Sequence, residues 1–188
     1  FVKRRKEQQD SAKARARRDR VPMPAVVLKP KKDDTIGDLA ITPDGKFVSY
    51  IATPKVEEGS TVFGDYVNDS GIVISRTSRA KVGAPLAQSR AAIIPVDPMA
   101  EPDSVAITFV DTAGFGKPVR ATDLQWNRQG TRLIAEFASL DYKDRWVVLV
   151  DPATGKQLKT LDHQHDDAWL LEPRGLTWMP DGERIAIR

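Results

Sequence analysis

Two histidines stand two positions apart, at His163 and His165, and the acidic pair Asp166 and Asp167 follows them directly. Because alternate residues of an extended strand point to one side, two such imidazoles beside a carboxylate have the spacing to hold a divalent cation. The position of this stretch, between the last strand of one predicted repeat and the first strand of the next, instead favours a polar loop that meets a partner. We therefore predict an interaction loop and no metal site.

Motifs for covalent or phosphate chemistry are absent from the sequence. There is no Gly-x-Ser-x-Gly, the turn that presents the nucleophile of α/β-hydrolases, no His-Glu-x-x-His and no cysteine. The stretch Gly114 to Pro118 has the glycines of a phosphate loop, but Asp111 stands where its first glycine belongs and Pro118 replaces the Ser or Thr. We predict a turn there, and neither catalytic nor cofactor-binding residues in this chain.

The elements that must carry these residues follow a repeat built around a tight turn. Residues 39–49, which contain Pro-Asp-Gly, align without gaps with residues 176–186, and residues 124–134 form a third copy. Glycine supplies the positive φ of such a turn and aspartate hydrogen-bonds the backbone after it, so each copy predicts a hairpin. A further predicted hairpin at residues 145–161 follows the middle copy. Four strands in about 50 residues are typical of a propeller blade.

We therefore predict an all-β fold, a partial β-propeller of two to three four-stranded blades preceded by a basic N-terminal helix. The predicted segments are a charged helical segment at 1–21, a Pro- and Lys-rich connector at 22–34 and an incomplete propeller at 35–188. Within the propeller, the predicted units are a blade at 35–110 with an insertion that loops out at about 54–90, a blade at 111–162 and the start of another at 163–188. Four tryptophans in or beside these strands are assigned to the core: Trp126, Trp146, Trp169 and Trp178.

The net charge of +3 is unevenly distributed along the chain. Residues 1–32 hold 12 Lys and Arg against 3 acidic residues, whereas the remaining 156 residues hold 17 against 23. The acidic remainder would repel phosphate, so we expect no nucleic-acid partner. No apolar stretch approaches the roughly 20 residues of a membrane span. The sequence begins in a charged run and stops inside a predicted strand, so we expect an internal segment of a longer polypeptide.

The repeats, together with the stretch Gly64 to Gly83, resemble the β-propeller of bacterial prolyl oligopeptidase family serine peptidases, and the dipeptidyl peptidase IV-like branch is the most similar. The resemblance covers most of the chain, and its most specific part is Tyr-Val-Asn-Asp-Ser-Gly followed by Lys-Val-Gly. Candidate interaction residues in this stretch are Asp65, Tyr66, Asn68, Arg76 and Arg79.

The resemblance implies a propeller that gates and shapes the access of peptide substrates to a C-terminal α/β-hydrolase domain, whose Ser, His and Asp would lie outside these residues. It also implies a periplasmic or secreted protein, with the cytoplasm left open. Many dipeptidyl peptidase IV relatives hold the substrate's amino terminus with a motif like Asp-Trp-x-Tyr-Glu-Glu. That motif is absent here, so dipeptide release is not carried over.

Two alternatives use the same features. A TolB-like propeller without enzyme activity would serve as a protein-binding platform. A nucleic-acid adaptor would bind through the basic segment, with an affinity that falls steeply as salt rises. We rank the peptidase first and the binding propeller second, and the sequence does not determine the oligomeric state.

Overall fold

The structure, a computed structural model, describes residues 30–57, 59–80, 83–96, 106–170 and 175–187, and nearer the N-terminus residues 6, 8, 10–12, 15 and 28. Twelve strands follow one another in the described part of the chain. In order they are β1 (Thr35–Ile41), β2 (Phe47–Thr53), β3 (Ser60–Asp65), β4 (Ile74–Ala80), β5 (Arg90–Pro95), β6 (Thr108–Phe109), β7 (Val119–Trp126), β8 (Leu133–Ser139), β9 (Asp144–Val150), β10 (Gln157–His165), β11 (Leu176–Trp178) and β12 (Ile185–Ile187).

The strands form two four-stranded antiparallel sheets and two separate hairpins. The first sheet has the order β1-β2-β5-β6, and the second runs β7-β8-β9-β10 as a simple meander. A third repeat is represented by the hairpin β11-β12. The all-β prediction with four-stranded repeats is confirmed, while the described residues do not close a ring.

The insertion predicted in the first repeat folds into a hairpin of its own. Strands β3 and β4 pair with each other, and among the described residues neither joins the first sheet. The sheet continues across the insertion because β2 pairs directly with β5 from Phe47↔Pro95 to Ala52↔Arg90. The hydroxyl groups of Thr53 and Ser89 lie 2.9 Å apart and close the base of the insertion.

The main core lies between the first and second sheets. Strand β8 is buried along its whole length because Leu133, Ala135 and Phe137 face this core whereas Ile134 faces the third repeat. Strand β7 accordingly contacts β2 and β5 of the first sheet as well as β11 of the third repeat. A strand buried on both faces has a nearly continuous apolar sequence, here Leu-Ile-Ala-Glu-Phe-Ala, in which Glu136 is the one polar residue.

Successive repeats dock onto one another in the same way. The indole Nε1 of Trp126 donates to Ser49 Oγ of the preceding repeat at 2.8 Å, and Nε1 of Trp178 donates to the carbonyl oxygen of Gln125 at 3.1 Å. The turns also stack, since a Cβ at Gly130 would lie 3.1 Å from Pro43 Cδ. Each repeat therefore uses its first strand and its turn to contact the repeat before it.

In the first repeat, the surface formed by the first strand is not covered by any other described repeat. Leu124 and Leu176 are 5% and 2% exposed, whereas Leu39, at the equivalent position, is 60% exposed. An apolar cavity of about 300 Å³ opens beside it, lined by Leu28, Leu39, Ala40, Ile41 and Val48. The first sheet thus presents the type of face that the later repeats bury.

Part of the predicted organisation lies outside the described residues. Of the predicted helix, Lys6, Gln8, Asp10 to Ala12 and Arg15 are helical and exposed, and the rest of that segment is not described. No helix among the described residues is long and apolar enough to cross a bilayer.

One core assignment is wrong. Trp169 is 67% exposed, because it follows the last strand of the second sheet instead of lying in a strand. Trp126, Trp146 and Trp178 pack against the clusters between repeats as predicted.

Candidate functional site

The predicted site residues fall on two surfaces. The first is the insertion hairpin, defined as residues 60–80 with its tip at residues 66–73. The second is a group of charged side chains at the end of the second sheet, here called the Asp144 cluster, which consists of Lys117, Asp141, Asp144, His163 and His165.

Both histidines lie in strand β10 and not in the loop that the sequence predicted. Strand β10 is nine residues long and its pairing with β9 contains two register shifts, so it continues to His165 opposite Asp144. Because the two histidines alternate with Gln164, both imidazoles reach the same side of the sheet, as expected from their spacing. The ring of His163 stacks on that of Trp146, with centroids 5.0 Å apart.

A single buried carboxylate connects both imidazoles. Asp144 Oδ1 lies 2.9 Å from His163 Nε2 and 2.9 Å from His165 Nδ1, while Oδ2 accepts a hydrogen bond from Lys117 Nζ. The Asp144 side chain is 6% exposed, whereas its three partners are between one-third and one-half exposed. The buried anion is therefore hydrogen-bonded by an ammonium group and two imidazoles that keep contact with water.

These contacts shift the pKa values of the cluster in opposite directions. Burial of Asp144 opposes its charge, but the hydrogen bonds from Lys117, His163 and His165 hold the pKa of this carboxyl well below its usual range. The Asp144 carboxylate, followed by that of Asp167, raises the pKa of His165. The hydrogen bond to Asp144 likewise raises the pKa of Lys117. The cluster therefore favours an ionised Asp144 and the protonated forms of Lys117 and His165.

A tight turn holds Asp144 in place. Ser139 Oγ accepts hydrogen bonds from the backbone N–H of Asp144 at 2.9 Å and of Lys143 at 3.2 Å, and donates its own proton to Asp141. Lys117 then bridges Asp141 and Asp144 from the neighbouring loop. This loop is the Gly114 to Pro118 stretch, which begins within a one-turn 3-10 helix at Ala113–Phe115 and is not a phosphate loop.

The Asp144 cluster joins elements of the second sheet and shows no arrangement for nucleophilic catalysis. Among the described residues, neither imidazole hydrogen-bonds a Ser or Thr hydroxyl, which a triad requires. Within the same residues no group of three or more His, Cys, Asp and Glu side chains has the geometry of a metal site. The arrangement fixes the end of β10 and leaves two half-exposed imidazoles at the surface.

The tip of the insertion hairpin is ordered by one asparagine. Asn68 Nδ2 donates to the carbonyl oxygens of Asp65 at 3.0 Å and Ile72 at 2.8 Å, and its Oδ1 accepts the N–H of Ser70 at 3.0 Å. Next to the tip, a Cβ at Gly64 would lie 3.0 Å from the Tyr66 ring and from Val73, so glycine leaves room for both side chains. Side-chain hydrogen bonds that close an eight-residue turn give it a defined shape.

The tip directs apolar side chains into solvent. Tyr66 is 77% exposed and Val67 is 94% exposed, and Ile72 on the other arm is 70% exposed. Arg76 and Asp65 form an ion pair at 2.6 Å beneath the tip. Arg79 lies in β4, and its side chain is outside the described residues.

The two acidic residues of the predicted His loop have different roles. Asp166 Oδ1 accepts the N–H of Ala168 at 2.7 Å and so shapes the turn after β10. Asp167 is fully exposed and lies 3.3 Å from His165 Nε2.

Sequence reasoning missed Lys117, Asp141 and Asp144 as partners of the histidines. The residues are 19 to 48 positions from the histidines along the chain, and only the register of β9 with β10 brings Asp144 opposite His165. The sequence did predict the five-residue turn between the strands at 145–150 and 156–161. Because a turn sets the register of the two strands it joins, this turn could have indicated which residues of the first strand face the histidines.

Comparisons with known proteins identify a similar fold. No family model matches the sequence, and no curated protein matches it. A solved structure from Bacteroides ovatus, provisionally assigned as a dipeptidyl aminopeptidase IV, is similar with a TM-score of 0.51 at 13% identity. The similarity covers 77% of this chain and 21% of that chain. At this identity the likeness shows that the fold of this chain is similar to about one-fifth of a larger protein.

Proposed function

We propose that this chain is a non-catalytic propeller segment of a serine peptidase of the prolyl oligopeptidase family, similar to the dipeptidyl peptidase IV branch. The observation that supports it most is the pair of stacked four-stranded sheets, which resemble part of a structure assigned as a dipeptidyl aminopeptidase IV. The Tyr-Val-Asn-Asp-Ser-Gly stretch, from which the resemblance was drawn, forms the ordered tip of the insertion hairpin.

In this proposal the segment gates and shapes access of peptides to an α/β-hydrolase domain elsewhere in the same polypeptide. That domain would supply the nucleophilic serine, the histidine that moves its proton and the aspartate that orients the histidine. The segment would contribute rigid walls, because each repeat is anchored to the next by an indole hydrogen bond and stacked turns. A periplasmic or secreted location is part of the same proposal.

The first test is to purify the full-length protein from its source and measure its intact mass and its reaction with a fluorophosphonate probe. We expect one labelled serine inside a Gly-x-Ser-x-Gly peptide that lies outside residues 1–188. A heat-denatured sample serves as the control, since labelling must depend on an activated serine. Absence of any labelled serine in the native protein would contradict the proposal.

The gating role is tested separately by substrate size. We expect the full-length protein to cleave an unfolded peptide while leaving a folded protein with the same scissile sequence intact. A short chromogenic peptide is the control, because it passes any opening. Equal kcat/KM values for the folded and unfolded forms would contradict gating without affecting the serine assignment.

The second candidate is a binding propeller without enzyme activity. The exposed apolar tip favours it, since a preorganised apolar loop is a common way to contact another protein. The same probe experiment separates the two candidates, because a binding propeller has no serine to label.

A further inference from the structure

Two arginines of the second sheet carry buried donors that have no acceptor. The Nε–H groups of Arg120 and Arg145 are buried and have no hydrogen-bond partner among the described residues. In the same part of the chain, the ion pairs of arginine are formed by Arg76, Arg90 and Arg184. A buried polar group without a partner costs free energy, and a buried charge costs more. Binding of an anion would remove this cost for both guanidinium groups.

The two arginines lie side by side on one face of the sheet. Ala138 in β8 pairs with Arg120 in β7 and with Arg145 in β9, and residues directly opposite each other point to the same face. Neighbouring strands are about 4.8 Å apart, so the two arginine backbones are separated by roughly 10 Å, a distance that two long side chains can bridge. This is the opposite face from the Asp144 cluster, because Asp144 and Arg145 are consecutive in β9. One ligand above Ala138 can therefore contact both arginines.

The carboxylate of Glu136 interacts with Arg145 only from a distance. Glu136 lies two residues before Ala138 in β8, so it faces the same side of the sheet. Burial raises the pKa of Glu136, and the charge of Arg145 opposes this shift. The Glu136 Oε1 atom instead accepts a hydrogen bond from Thr122 Oγ1 at 3.1 Å. The charge of Arg145 is thus partly balanced while its Nε–H group still lacks an acceptor.

Tyr142 forms one wall of the space above the two arginines. The guanidinium carbon of Arg120 lies over the Tyr142 ring, 4.7 Å from its centroid. Tyr142 has a φ of 59°, a conformation that is uncommon for a large side chain and clusters at functional sites. Tyr142 is 39% exposed and Arg120 is partly exposed, whereas Arg145 is 7% exposed. Arg145 therefore lies at the base of the site, and the side of Tyr142 and Arg120 is open to solvent.

We propose that Arg120 and Arg145 together bind a carboxylate group. A planar carboxylate accepts paired hydrogen bonds from the fork of a guanidinium group. A singly charged ligand is favoured over a phosphate dianion because the adjacent row of the same face is acidic: it contains Asp123, Glu136 and Asp162. Small organic acids and the carboxyl ends of peptides both offer this group. The proposal is independent of the peptidase assignment, because it concerns binding and not hydrolysis.

Titration of the full chain with sodium acetate at constant ionic strength tests the proposal. The arginine Nε–H signals of isotope-labelled protein are followed by NMR, because these are the donors that would gain an acceptor. We expect the signals of Arg120 and Arg145 to shift saturably with acetate and not with acetamide, which has a similar shape and no charge. The absence of a saturable shift, or an equal shift with acetamide, would overturn the proposal. Tighter binding of inorganic phosphate than of acetate would overturn the choice of a carboxylate.

Two matched variants test whether the arginine pair is responsible. Arg120→Gln removes one member of the pair, and Arg128→Gln removes an exposed arginine from the turn between β7 and β8. We expect R120Q to raise the Kd of acetate about tenfold or more and R128Q to change it less than about twofold. Equal weakening by both variants would contradict the site, because it would reflect only the net charge of the chain.

A third variant separates the geometry of the site from its charge. Arg145→Lys keeps the positive charge but lacks the guanidinium fork, so we expect a loss of affinity of about tenfold. Unchanged affinity in R145K would contradict paired hydrogen bonding by Arg145. If R145K does not fold, the comparison of acetate with acetamide still decides the proposal, because it uses the unaltered chain.

A peptide probe distinguishes the two sources of the carboxylate. Acetyl-trialanine is compared with its C-terminal amide and with acetate in the same titration. Binding about tenfold tighter than that of acetate, and lost in the amide, would assign the site to peptide ends. Equal affinities for acetate and acetyl-trialanine would assign it to small organic acids. Binding of the amide as tightly as the free acid would contradict recognition of a carboxylate.

Discussion

Asp144 shows how a single buried carboxylate can hold the end of a sheet. Its oxygens contact Lys117, His163 and His165, which come from a loop and from β10. The partners remain in contact with water, so the cost of their desolvation is small. The carboxylate between them is almost fully shielded from water. Such an arrangement stabilises folding more than a fully exposed ion pair does.

Replacement of Asp144 by Asn should lower the free energy of unfolding. The amide keeps the shape of the side chain but removes the charge that accepts hydrogen bonds from Lys117 and the two imidazoles, so we expect a loss of about 1–3 kcal/mol. Urea denaturation at pH 6 measures the change. Asp167→Asn is the control, since this carboxylate is fully exposed and its loss should be within about 0.5 kcal/mol. Equal effects of both variants would show that the burial of Asp144 has no energetic role.

The raised pKa of His165 predicts a pH dependence of stability. The folded protein holds the proton more tightly than the unfolded chain, whose histidine pKa is near 6.5. The stabilisation is therefore complete below about pH 6.5 and is lost as the pH rises through the higher pKa of the folded state. We expect the free energy of unfolding to fall across this interval and the fall to be reduced in His165→Gln. A series of urea titrations between pH 5.5 and 8.5 measures it, and an unchanged slope in the variant would contradict the assignment.

At the scale of elements, turn chemistry predicted most of the strands correctly. The three Pro-Asp-Gly-like copies form β1-β2, β7-β8 and β11-β12, each with a positive φ at its glycine. These hairpins could be predicted from the sequence because a tight turn needs a glycine with positive φ, and this need does not depend on distant residues.

The insertion and the histidines were predicted less well. The sequence indicated only an excursion at 54–90, and the β3-β4 hairpin was missed because its tip is eight residues long, with side-chain hydrogen bonds of Asn68 closing it in addition to the positive φ of Gly71. The length of β10 was missed because two register shifts extend its pairing as far as Asp144. No local sequence pattern predicted that the residues of the tip would be exposed, and only the family resemblance drew attention to them.

Two turn glycines with the same backbone conformation should respond differently to alanine. Gly45 and Gly155 have φ values of 70° and 71°, but a Cβ at Gly45 would meet open space whereas one at Gly155 would collide with the Phe109 carbonyl. We expect Gly45→Ala to cost about 1–2 kcal/mol from backbone strain alone, and Gly155→Ala about 2–4 kcal/mol because the first and second sheets must also separate. Thermal unfolding of both variants measures the difference, and similar melting temperatures would contradict close contact at Gly155.

At the scale of the whole molecule, the repeats behave as units that each contact only their neighbours. Leu124 and Leu176 are buried by the preceding repeat, whereas Leu39 is exposed in the described residues. In such arrays the stability is close to a sum of the repeat energies and the contacts between adjacent repeats.

This arrangement predicts unequal effects of one substitution at equivalent positions. Leu124→Ala should cost about 2–5 kcal/mol because it leaves a cavity between two sheets, whereas Leu39→Ala should cost less than about 1 kcal/mol in the 188-residue chain. Chemical denaturation of the two variants measures this. In any longer polypeptide that docks a sheet on the exposed face, the cost of Leu39→Ala should rise toward that of Leu124→Ala. Equal costs in the 188-residue chain would show that the exposed face is already covered there.

The base of the insertion allows the first sheet to tolerate changes in the length of the inserted segment. The excursion leaves β2 and returns to β5 at neighbouring positions, where Thr53 and Ser89 meet, so the first sheet is continuous without it. The entropy of closing such a loop grows only with the logarithm of its length. The segment between these two residues can therefore be exchanged for a shorter or longer one at little cost to the sheet, which makes this point of the fold a natural grafting position for new recognition sequences.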